Sequence, residues 1–205
     1  MNFETWLAFV AASLVLTMTP GPSILLGVVH SMNYGAKKTL FTALGDISAN
    51  FIQMILVAIG LGVVIASSEL AFQLIKWFGV FTLVYMGAKM VLSKPKALEL
   101  AHLKHNITRR KLYINGFLVA AGNPKAIVFF TAFFPQFIDP DKPLLAQLII
   151  MCPTMAILDF IWVMLYALSA QRFLGFMQNR PALLNRVGGS ALLGASAFLA
   201  TTSHA

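Results

Sequence analysis

The chain has 205 residues, 59% hydrophobic and 11% charged, with a formal net charge of +8 and a mean hydropathy of +0.80. Folding covers only about 70% of the surface that a chain of 150 to 200 residues exposes when unfolded, so a soluble domain is excluded and an integral membrane protein is predicted. The 15 Lys and Arg fall between apolar runs with no basic stripe of interleaved aromatics, which argues against a nucleic-acid partner, and the lone Cys152 excludes an intramolecular disulfide, a thiol redox pair or a cysteine metal cluster.

Apolar stretches long enough to cross about 30 Å of hydrocarbon lie near 5–29, 40–66, 70–92, 113–137, 144–170 and 184–202. They predict an all-α membrane protein of six transmembrane helices, with 1–205 as a single domain. Barrel strands would alternate in polarity over about ten residues, and these runs do not. The opening MNFETW has no basic segment before its apolar run, so the first helix is expected to stay in the protein.

The first run is interrupted by Thr19-Pro20-Gly21-Pro22 and the fourth by Gly122-Asn123-Pro124-Lys125. Proline removes a backbone donor and clashes with the preceding turn, so both helices are expected to break in mid-membrane. Pro22 suits the first turn of a new half-helix, whose N–H groups near Ser23 and Ile24 would form a seat for a carboxylate. Six helices divide into two sets of three, and a repeated odd-numbered unit must be inserted upside down. Matched breaks and one acid in each following helix, Asp46 and Asp159, predict such an inverted repeat, with an insertion somewhere in the second half. Broken helices at matched positions also point to a transporter site. A packing kink is the plainer alternative.

Asp46, Asn50 and Gln53 fall at i, i+4 and i+7 on one helix face. A carboxylate at membrane depth costs about 2.5–3.5 kcal/mol and needs a partner or a purpose, such as carrying a proton. Asp159 shares a face with Trp162 and Tyr166, and Lys125 is the one cation deep inside a span. A Lys–Asp pair could lock the bundle instead of serving transport. Other features read as structural. Glycines 60, 62, 79, 87, 188, 189 and 194 would permit close helix packing, and Lys76 would snorkel to the interface. His102 and His105 would belong to a solvated loop, and no metal or cofactor site is expected.

Basic residues favour the cytoplasmic side. Placing the 94–111 stretch inside puts 12 of the 15 cations there and both termini outside. That stretch reads equally as an interfacial helix or a solvated loop.

Four segments resemble the LysE/RhtB family of bacterial amino-acid exporters, in order along nearly the whole chain: LTMTPGPSILL at 16–26, Tyr34-Gly35, LIKWFGVFTLVYMGAK at 74–89 and GNPKAIVFFTAFFPQF at 122–137. The resemblance implies a non-enzymatic inner-membrane carrier that exports amino acids or close derivatives, by proton antiport, with a possible homo-oligomeric state. It is closest to the homoserine, threonine and neutral amino-acid branch. Pro20, Gly21, Pro22, Asn123, Pro124, Lys125 and Asp159 match the family's motifs, whereas Asp46 stands where that branch usually has no charge. Together with Ser23 and Asn50, these residues form the expected substrate site. In it a zwitterion's carboxylate would face Gly21–Ser23 or Lys125, and its ammonium would face Asp46 or Asp159, which also couple protons. Export of a cation or other small metabolite, or a channel-like pore, is the alternative.

Overall fold

The computed structural model describes residues 1–67, 69–93, 107–139, 141–170, 172 and 181–201. Among them every regular element is helical. Helix α1 (Phe3–Met18) ends where the prolines begin, and α2 (Pro22–Tyr34) starts with Pro22 in its first turn. Gly35 alone separates α2 from α3 (Ala36–Ser67). Its φ of 85° lies in the left-handed region that glycine enters without a Cβ penalty, and its N–H closes on the Ser31 carbonyl.

Helix α4 (Glu69–Leu92) is followed after the basic stretch by α5 (Arg109–Ala121). Beyond the second break come α6 (Pro124–Val128), a π-helical turn at Phe129–Phe133 and a 3₁₀ turn at Phe134–Phe137. Helices α7 (Leu144–Leu168) and α8 (Pro181–Thr201) are the last two helices among the described residues. Each element lies within a few residues of a predicted apolar run.

Both breaks bend their helices by 52°. Helices α3, α4 and α7 each contain a stretch long and apolar enough to cross a bilayer, and each bent pair adds one broken span, giving three to five candidate spans among the described residues. Helix α8, at the place of the expected sixth span, packs along α4.

The polarity is that of a protein dissolved in lipid. Leu56, Leu74, Phe78, Phe81 and Ile149 are all at least 60% exposed, while Asp46, Asn50, Asn123, Lys125 and Asp159 are buried. Large outward apolar surface of this kind has no place in water. Inside, Phe9 meets Phe134 and Phe137 edge to face, and Phe129 stacks on Phe133 at 5.2 Å. The aromatic run after the second break thus fills the core beside α1.

Close helix crossings fix the frame around the site. A Cβ on Gly45 would collide with the Tyr113 carbonyl, and one on Gly116 with the Thr42 carbonyl, so α3 and α5 pack backbone to backbone. Gly79 lies against Ala132, Gly87 and Gly189 face one another between α4 and α8, and Gly188 lies against Met90, as the packing reading expected. Gly60 and Gly194 have no neighbour a Cβ would meet, and the packing of Gly62 lies outside the description. Lys76 departs from its snorkelling expectation: it is buried, with its ammonium 5.9 Å from the Trp77 ring.

Candidate functional site at two helix breaks

A helix that stops in mid-membrane leaves carbonyls at one end and N–H groups at the other without partners. At the first break the carbonyls of Val15, Leu16, Met18 and Thr19 find side-chain donors. Thr19 Oγ1 donates to the Val15 carbonyl at 2.6 Å, and Tyr166 OH to that of Met18 at 2.9 Å. Lys125 Nζ, arriving from the second break, donates to Leu16 O at 2.8 Å and Thr19 O at 2.6 Å. The N–H end is left open instead. Gly21, in extended conformation, offers no side-chain cap to α2, and Ser23 and Ile24 of its first turn line a small cavity.

The second break is closed at both ends. Gln53 Nε2 donates to the Ala121 carbonyl at 3.0 Å, and the Asn123 side chain accepts from Lys125 N at 3.1 Å as an N-cap. Asn123 Nδ2 also reaches Ser23 Oγ at 3.4 Å, so one break touches the other.

Opposite them stand the two acids. Asn50 Nδ2 donates to Asp46 Oδ2 at 3.2 Å and to Asp159 Oδ2 at 2.7 Å, and Ser23 lies beside Asp46. Asp46, Asn50 and Asp159 are 2%, 7% and 8% exposed. Asp46 Oδ1, Asn50 Oδ1 and Gln53 Oε1 are buried with no donor directed at them. Neither acid makes an ion pair with Lys125; among the described residues the ion pair is Asp139–Lys142, in the loop before α7.

The cavity between these groups measures about 20 Å³ and is lined in part by Gly21, Ser23, Asn50, Asn123, Lys125 and Asp159, six of the ten residues expected from sequence. Asp46 sits behind Asn50, and Pro20, Pro22 and Pro124 shape the breaks. The space suits one water and is too small for an amino acid. Lys125, expected either to seat a carboxylate or to pair with an acid, directs two donors to the carbonyls of Leu16 and Thr19.

One buried polar pair escaped the sequence reading. His30 Nδ1 lies 2.7 Å from Thr42 Oγ1, joining α2 to α3 one turn before Asp46. A histidine closing the apolar run 24–29 was the available signal. His102 and His105 lie outside the described residues, and among those described no three His, Cys, Asp or Glu side chains gather as metal ligands.

The family model "LysE type translocator" matches residues 14–203. The chain belongs to the LysE family. Members of this family are transporters rather than enzymes, so this LysE-type chain is a membrane translocator. It is 33% identical to a homoserine/homoserine lactone efflux protein of Salmonella typhimurium, over all of both chains. It is 32% identical to a membrane protein of Vibrio cholerae over 98% of each chain. A leucine efflux protein of Salmonella choleraesuis is 26% identical, over 98% of this chain and 95% of its own. No solved structure matches the chain.

Proposed function

We propose that this LysE-family protein exports neutral amino acids or their close derivatives across the bacterial inner membrane in exchange for protons. The observation that carries the reading is the polarity of the site. An uncapped half-helix N-terminus at Gly21–Ser23 lines one side of the cavity, and Asn50 and Asp159 line the other, with Asp46 behind Asn50. A zwitterion presents the complementary charges, with its carboxylate toward the N–H groups and its ammonium toward the acids. Relatives named for efflux of homoserine, its lactone and leucine support a small amino compound as cargo.

Two carboxylates joined through one amide cannot both stay charged out of water without a cation or a proton between them. Ammonium and proton therefore compete for one place. A proton arriving from outside releases the cargo, and its departure to the cytoplasm readies the site. The cavity is too small for the cargo, so one half of the protein must move against the other to admit it.

In this reading the chain crosses the membrane six times as two inverted three-helix repeats, with both termini outside and the 94–111 stretch in the cytoplasm. The equal bends of the two broken helices support the repeat, as does the pairing of α3 with α7 and of α4 with α8. Everted vesicles acidified inside should accumulate labelled L-homoserine or L-leucine and lose it when a protonophore is added. Uptake unaffected by collapse of the gradient would refute proton coupling.

A further inference from the structure

We propose that the site selects primary amines and that Asn50 is the residue enforcing the choice; this rests on the amino-acid reading above. Asn50 is 7% exposed and lines the cavity, and both acids take the same amide nitrogen as donor. That fixes the amide's orientation, because the reverse would set its oxygen against two carboxyl groups. The oxygen is therefore committed to the other side, buried and without a donor, as is Asp46 Oδ1 one turn earlier on α3.

The cluster holds more acceptors than donors. The Asn50 NH₂ group and the Ser23 hydroxyl beside Asp46 are the donors to two carboxyl groups and an amide oxygen, and Asp46 Oδ1 and Asn50 Oδ1 are left without one. The occupant that balances it is compact, positively charged and rich in N–H groups without acceptors of its own. A primary ammonium has three donors and no acceptor. A water molecule brings acceptors as well and adds no positive charge to that of Lys125, whereas a quaternary ammonium brings no donor. An N-methyl group removes one N–H and puts a carbon where a donor is needed. It leaves a buried acceptor unpaired, a loss equivalent to about tenfold or more in affinity.

Thermal stability of the purified full-length protein tests this. L-homoserine and L-leucine would be titrated against their N-methyl derivatives, and sodium chloride against choline chloride. The wild-type protein should need at least about tenfold more of the N-methyl compound for the same stabilisation. In Asn50→Ser, which keeps a hydroxyl donor and opens room for a methyl, the preference should shrink to about twofold or less. Equal response of the wild-type protein to both members of a pair would overturn the proposal, and so would stabilisation by sodium in place of amines. An undiminished preference in Asn50→Ser would remove Asn50 from the role. If none of these amines stabilises the protein, the amino-acid reading itself fails, and this inference with it. The wild-type comparison decides on its own should the variant not fold.

Discussion

Gly21 leaves the space that the Lys125 side chain fills. A Cβ at Gly21 would lie 3.2 Å from the Lys125 ammonium nitrogen and 3.3 Å from its Cε. The glycine of the first break and the lysine of the second are thus one packing unit. We expect Gly21→Val to displace the lysine from the α1 carbonyls, lowering stability by about 1–3 kcal/mol through overpacking. Truncating the lysine as well, in Gly21→Val with Lys125→Ala, should remove the collision, so that the double variant is more stable than the sum of the single losses predicts. Denaturation midpoints in detergent would check this.

Lys125→Met should leave the carbonyls of Leu16 and Thr19 buried without donors, at about 1–3 kcal/mol for each. Were Lys125 and Asp159 a bracing ion pair, neutralising both would be tolerated better than neutralising one. Because the lysine donates to carbonyls and makes no direct ion pair with Asp159, most of the loss in Lys125→Met should persist in Lys125→Met with Asp159→Asn, with only partial recovery from the relieved charge. A double-mutant cycle on thermal stability would measure the coupling.

Asp159→Asn should insert and fold, since an amide can still meet Asn50, yet lose transport driven by the proton gradient. Counterflow of labelled against unlabelled amino acid, which needs no net proton movement, should survive better than gradient-driven uptake. Equal loss of both activities would mark Asp159 as a binding or structural residue only.

Gly116→Ala should be severely destabilising, because its Cβ meets the Thr42 backbone, which no rotamer change can move. Gly60→Ala, where a Cβ meets nothing, should be neutral or slightly stabilising, since alanine is the better helix former. Membrane expression and thermal midpoints of the two variants would separate them.

In the loop before α7, Lys142 lies 2.7 Å from Asp139, and this contact together with the Asp141 N–H holds the Asp139 carboxyl below the usual carboxylate range. A lowered folded-state value stabilises the native protein above the unfolded carboxyl's pKa. That contribution disappears as pH falls through the folded one. Lys142→Met should return the carboxyl toward its ordinary titration, as followed by carbon NMR, with little effect on global stability because the pair is exposed.

The helices and breaks were legible because they depend on local chemistry: run length predicts a span, and Pro20, Pro22 and Pro124 act on their own turns. The stripe of Asp46, Asn50 and Gln53 was legible as a face, since helix period alone places it inward. The carbonyl partners of Lys125 were not legible. Backbone carbonyls are present at every residue, so sequence cannot announce which of them a lysine will find. The crossing of Gly45 with Gly116 was missed for a related reason, as glycines advertise closeness without naming the helix that comes close.

The order in which the chain is made gives the Lys125 contact a further meaning. The carbonyls of Leu16 and Thr19 enter the membrane more than a hundred residues before their donor is synthesised, and Met18 waits longer still for Tyr166. Until then the first break has to be sheltered by water, by the insertion machinery or by a chaperone, since hydrocarbon offers its carbonyls nothing. The segment through α4, expressed alone, should therefore be short-lived. Supplying the remainder of the chain as a separate polypeptide should rescue it, and the rescue should fail if that polypeptide carries methionine in place of Lys125.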